Sequence, residues 1–137
     1  MDVERTASIV GLVGTVLLAA AVAVPAVVVE SGAGPMAAYY ASGPFGIAVV
    51  GLLALIEVIV LLSGRQERTD PAMAAGLAFV LSLAMLGISA TWAFTIDPTV
   101  LFSFPEQYSW ISNHRWAVLA AAALTVVGTA GYARSVV

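Results

Sequence analysis

Glu57 is the only charged side chain between Gly43 and Gly64, in an otherwise apolar run. Counted from the Arg65 end of that run, it stands about 12 Å deep at 1.5 Å per residue. A carboxylate at such a depth in a membrane costs on the order of 3 kcal/mol unless it is paired, hydrated or protonated. Two chemistries fit it. Membrane carboxylates act as proton or ion sites, and a neutral carboxyl also ties helices together by hydrogen bonds. Depth counting places Thr15, Ser82 and Thr125 near Glu57, and Ser82 and Ser89 share one helix face. Such a layer can hold a protonated carboxyl or a water. No basic side chain falls at that depth, so an internal ion pair is not expected.

Small residues lie on the same face as Glu57. Gly46, Val50 and Gly64 fall within about 20° of it at 100° per residue, with Gly43 and Ala54 nearby. Gly43, Gly46 and Gly64 are therefore expected to let a neighbouring helix approach closely. On this reading the Glu57 face packs against protein and not against lipid. Gly11 with Gly14, and the stretch Gly128-Thr129-Ala130-Gly131, form two further small-residue patches.

A second group is aromatic. Tyr39, Tyr40, Phe45, Trp92, Phe94, Phe102, Phe104, Tyr108, Trp110 and Trp116 all map to one side of the predicted spans, whereas Tyr132 alone maps to the other. Aromatic belts normally occupy both interfaces. The asymmetry suggests an outer surface that contacts lipid, an apolar ligand or a partner subunit, with plain interfacial anchoring as the simpler alternative. A third group is His114-Arg115, which the spans put on the same side as Glu30, Asp97 and Glu106. No metal-ligand spacing such as His-x-x-x-His is present, so no metal is expected. These are read as surface polar groups, with Arg115 paired to Asp97 or Glu106.

The elements that must position these residues are membrane spans. Of the 137 residues 61% are hydrophobic and 9% charged, far below the roughly 25% charged residues of a soluble domain. The expected fold is an all-α membrane protein forming a single domain over 1–137, a four-transmembrane-helix up-down bundle. Its spans are about 7–29, 43–63, 71–96 and 115–133, each long enough for ~30 Å of hydrocarbon. Pro25 inside the first span removes an N–H and frees the carbonyl of Ala21. Residues 30–42 read as a loop broken by Gly32, Gly34 and Pro35. Asp70-Pro71 reads as a helix start, with the carboxylate as cap. The outer loop 97–114 is rich in rings and is expected to hold a short interfacial segment.

Four spans return both termini to one side, which Arg5, Arg65, Arg68 and Arg134 share against Arg115 alone. The positive-inside rule makes the termini cytoplasmic and the protein a multi-pass plasma-membrane protein. There is no cysteine and no lysine, and the net charge is −3. Thiol chemistry is excluded, and the absence of a basic patch speaks against nucleic acid. No nucleotide loop or nucleophile motif appears, so neither an enzyme nor a cofactor is expected.

The lysine-free acidic composition, the Arg65-to-Asp70 turn and the aromatic stretch from Phe102 to Trp116 together resemble small four-span membrane proteins of salt-adapted archaea that carry no assigned function. The resemblance implies the four-span fold and no active-site residues. Claudin-like tetraspans share the span count, but the short first outer loop lacks their Trp motif and cysteine pair. Three functions compete. The first is a structural or interaction subunit that packs through the Glu57 face into a homo-oligomer or larger membrane complex. The second is a proton- or ion-coupled carrier component using Glu57. The third binds membrane lipid or an apolar ligand under the outer aromatic loop.

Overall fold

A computed structural model describes residues 2–30 and 34–136; the expected breaker Gly32 lies outside the described residues. The chain is helical, with no strand among the described residues. Four long helices carry the fold: α1 (Asp2–Val28), α3 (Ala48–Arg65), α4 (Pro71–Thr95) and α6 (Ile111–Val136). All four are long and apolar enough to cross a membrane. The short helices α2 (Met36–Ala41) and α5 (Pro98–Phe102) and a 3-10 turn at Glu106–Tyr108 fill the connections at one end. The long helices pack in the cyclic order α1, α3, α4, α6, with α6 returning to α1.

Each long helix buries residues at alternating steps of three and four. On α1 these are Ser8, Gly11, Thr15, Leu18, Val22 and Pro25, and on α3 Val50, Ala54, Glu57, Leu61 and Gly64. On α4 they are Ala78, Ser82, Met85, Ser89 and Trp92, and on α6 Ile111, His114, Val118, Ala121, Thr125, Gly128 and Tyr132. This 3.5-residue seam is the packing pattern of left-handed helix bundles. The seam is smaller and more polar than the outside. Leu52 and Ile59 of α3 are 64% and 66% exposed while Glu57 is 0% exposed. That inversion is what a hydrocarbon solvent demands, because outward groups need no water and inward polar groups need partners.

The closest approach is between α1 and α6. A Cβ at Gly14 would stand 2.8 Å from Thr125 Oγ1, and one at Gly128 would stand 2.6 Å from Gly11 Cα. The two small-residue patches thus face one another, backbone to backbone. Gly43 and Gly46 have a different role from the helix packing expected of them. Both precede α3 and have positive φ, 75° and 73°. They turn the chain around Pro44 and Phe45, where a left-handed backbone favours glycine. Of the three expected packing glycines, Gly64 lies in α3, where a Cβ would stand 2.7 Å from Ala74 Cβ. Asp70 precedes α4 but makes no capping bond with its side chain, leaving Pro71 to begin the helix.

Gly128→Leu is expected to force α1 from α6 and to cost about 3 kcal/mol, the upper range for overpacking. Gly76→Leu and Gly87→Leu, whose Cβ positions meet nothing within 4 Å, should change stability by less than about 0.5 kcal/mol. Thermal unfolding of the three variants in detergent checks this.

Candidate functional site

The seam positions bring Glu57 into the centre of the bundle. Thr15 Oγ1 of α1 donates to Glu57 Oε2 at 2.6 Å, and Ser82 Oγ of α4 donates to Oε1 at 2.7 Å. Thr129 Oγ1 of α6 lies 3.0 Å from Ser82 Oγ as donor. One residue from each long helix therefore meets in a single layer. Thr125 does not join it: its hydroxyl donates to Ala121 O at 2.8 Å, and its backbone faces Gly14. Thr129, one turn further along α6, takes the place expected of Thr125. The neighbours of the Glu57 face within the chain are its own helices.

Hydroxyl protons decide what the layer can do. Thr15 has a second acceptor in Gly11 O at 2.7 Å, and Ser82 has one in Ala78 O at 2.8 Å. Each hydroxyl carries a single proton. Against an ionised Glu57, both protons turn to the carboxylate. Against a neutral Glu57, the carboxyl proton is donated to Thr15 Oγ1, and the threonine proton turns to Gly11 O. Either state is satisfied by rotating a hydroxyl, without moving a helix. The geometry also favours a proton over a metal cation. Two oxygens sharing a cation at about 2.4 Å from each must spread wider than the hydrogen-bond distances found here.

The layer lies nearer one end. Towards Arg65, a single layer containing Leu61, Ala78 and Tyr132 covers it. Beyond stands a cleft of about 500 Å³ lined in part by Glu4, Arg5, Ser8, Arg65 and Glu67. Towards the other end lie Leu18, Ala54, Met85, Val118 and Ser89, the last with a buried hydroxyl that has no hydrogen-bond partner among the described residues.

That other end is closed by the rings. Pro25 cannot donate to Ala21 O, and His114 Nε2 of α6 makes that bond instead. A carbonyl only accepts, so Nε2 carries the proton and Nδ1 of neutral His114 accepts from Tyr39 Oη at 2.7 Å. Tyr40 Oη repairs the next gap, accepting from Ala26 N–H at 3.0 Å and donating to Val22 O at 2.6 Å. Trp92 Nε1 donates to Tyr39 O at 2.8 Å. Burial pushes the Tyr39 phenol above the usual tyrosine range, with Tyr40 adding and Arg115 opposing. Burial likewise raises Tyr40. Both stay protonated donors.

The outer rings therefore divide. Tyr39, Trp92, Phe104 and Tyr108 are buried in one core cluster, with Tyr39 edge-on to Trp92 and Phe104 and Trp110 edge-on to His114. Tyr40 is half-buried, whereas Phe102 and Trp116 face outward. His114 is a core residue and not a surface group. Arg115 pairs with neither Asp97 nor Glu106. Its Nη1 donates to Ala93 O at 3.0 Å, one of the carbonyls left over where α4 ends. Asp97 is occupied as the cap of α5, accepting from Thr99 N–H at 2.9 Å. The signal for His114 is its register: Ile111, His114, Val118 and Ala121 continue the three-four alternation of the span.

The fold and site define a small membrane-type four-helix bundle with a buried, hydroxyl-bound carboxyl. The chain belongs to a family of unknown function, DUF7548, whose model matches residues 1–137. No curated protein and no solved structure matches the chain.

His114→Phe should leave Ala21 O buried and unpaired, at a cost of about 1–3 kcal/mol. Tyr39→Phe should cost less, about 1 kcal/mol. Pro25→Ala restores an N–H for Ala21 O, so the cost of His114→Phe should shrink by about 1 kcal/mol in that background. Equal costs of His114→Phe in the two backgrounds would remove this account of the outer end.

Proposed function

We propose that the protein is a proton-linked membrane carrier component in which Glu57 takes up and releases the proton. The supporting observation is the bonding of Glu57: it is fully enclosed, and both of its oxygens meet hydroxyls that each have a second acceptor. A group held this way changes charge at little conformational cost. The cleft behind the Leu61 layer supplies the nearer route to water. The arginine count supports a cytoplasmic side of the plasma membrane for that end and both termini. The acidic lysine-free composition fits a salt-adapted archaeal host. On this reading the protein is not an enzyme and needs no cofactor.

A structural subunit of a homo-oligomer is the second reading. It is favoured by a groove between α1 and α3, about 690 Å³ and lined by Ala19, Ala23, Ala26 and Gly51 among others. Small side chains there leave room for a helix of a second copy. This moves the expected oligomer contact from the Glu57 face to the α1–α3 face.

Glu57→Leu distinguishes the two. Without the carboxyl, Thr15 and Ser82 return to Gly11 O and Ala78 O, so stability should change by no more than about 1 kcal/mol. In liposomes, proton uptake driven by a pH gradient should fall to background in both Glu57→Leu and Glu57→Gln. No uptake by the parent, or uptake unchanged in both variants, would sink the carrier reading. Native mass spectrometry of Gly51→Leu tests the other: loss of a defined oligomer supports it, and a monomeric parent rejects it.

A further inference from the structure

The cleft at the Arg65 end holds two cations and two anions that do not neutralise one another. Arg5, Arg65, Glu4 and Glu67 all line it. No ion pair within 4.0 Å joins Arg5 or Arg65 to Glu4 or Glu67. Arg65 instead donates Nη1 to Ser8 Oγ at 2.7 Å, which orients one edge of the guanidinium and leaves its other N–H groups available.

Tyr132 supplies an independent observation. It is 1% exposed, yet it lines the cleft. Among the described residues its hydroxyl has no hydrogen-bond partner, whereas the other tyrosine hydroxyls on the buried seam and cap are all bonded. The missing side chain of Gly64 is what lets the hydroxyl sit at the cleft wall, because a Cβ there would stand 2.8 Å from Tyr132 Oη. A phenol in such a place is a donor and acceptor waiting for a partner. The volume, about 500 Å³, lies in the range that encloses small molecules.

We infer that this cleft binds a small zwitterion, with its anionic group between Arg65 and the Tyr132 hydroxyl and its cationic group towards Glu4 and Glu67. A lone anion would meet two carboxylates, and a lone cation would meet two guanidiniums. Only a molecule carrying both charges satisfies both pairs. A free amino-acid-like solute and a zwitterionic lipid headgroup share this chemistry. The site stands apart from the Glu57 layer, from which the Leu61 layer separates it.

The test uses three probes of one chain length against the whole protein in detergent: β-alanine, propionate and propylammonium. By calorimetry β-alanine should bind about tenfold or more tightly than either singly charged probe, the factor expected when one charge-assisted hydrogen bond is missing. Tyr132→Phe keeps the ring and its packing and should weaken β-alanine about fivefold to tenfold, the effect of removing a single neutral hydrogen bond. A milder variant, Glu67→Gln, should narrow the gap between β-alanine and propionate without unfolding the bundle. Binding of propionate or propylammonium as tight as that of β-alanine overturns the inference. So does an unchanged Tyr132→Phe, or the absence of binding by any probe. Competition by glycerophosphoethanolamine stronger than by β-alanine assigns the zwitterion to a lipid headgroup, and the reverse assigns it to a free solute. Failure here beside intact Glu57-dependent proton uptake removes this inference alone.

Discussion

Hydrocarbon offers no partner to a polar group, and the architecture follows from that constraint. Carbonyls, hydroxyls and ionisable groups at membrane depth are driven to find partners inside the protein; among the described residues the buried exceptions are Ser89 Oγ and Arg115 Nε. The bundle meets this by turning its polar seam inward and its large aliphatic residues outward. The constraint is sharpest where the chain breaks its own helix. Pro25 cannot donate an N–H, and the consequence spreads to three other elements. His114 is drawn from α6 to Ala21 O, Tyr40 from α2 to the Val22–Ala26 gap, and Tyr39 to the far nitrogen of His114. Trp92 then fixes Tyr39 through its backbone carbonyl. The aromatic cap is thus the repair of a proline.

The two halves of the bundle are built from different materials. Towards the Arg65 end, Gly11 and Gly14 meet Thr125, Gly128 and Thr129, so the backbones lie close and side chains fill little volume. Towards the other end the helices are held apart, and rings fill the gap. α3 has 18 residues against 25 in α4, which leaves one corner of the bundle about 10 Å short at 1.5 Å per residue. α2 occupies that corner. Tyr39 joins Ile47 and Val50 in the core and continues the wall where α3 has ended. The left-handed glycines Gly43 and Gly46 make this possible, since they reverse the chain between α2 and α3 within a few residues.

Much of this is legible in the sequence, and the failures have physical causes. The four spans are visible because long apolar runs between charged turns have few other interpretations. Thr15 and Ser82 can be placed beside Glu57 because both depths are counted from well-marked helix ends. Depth counting misplaces Thr125 because the α6 end is not well marked: the helix continues to Val136, and the count slips by one turn to miss Thr129. Gly43 and Gly46 share the angular phase of Glu57, but phase has meaning only inside a helix, and α3 begins at Ala48. His114 reads as a surface residue as long as the ring-rich stretch before it reads as loop. Beginning α6 at Ile111 puts His114 in register with the buried seam. Spacing gives depth and face; which helix lies opposite requires the tertiary structure.

The dependence between Glu57 and its partners runs in one direction. Thr15, Ser82 and Thr129 each have a carbonyl of their own helix within reach, at 2.7, 2.8 and 2.9 Å. Serine and threonine in membrane helices commonly settle for that bond. None of the three requires Glu57. The carboxyl, by contrast, has no other partner in the layer and no cation to neutralise it. An apolar side chain at position 57 would satisfy the seam and avoid the cost of burying a carboxyl. Packing therefore explains how Glu57 is tolerated but not why a carboxyl occupies the position. Its place, one layer behind a polar cleft and several layers from the aromatic cap, follows the division of the bundle into a close-packed glycine-lined half and a ring-filled half.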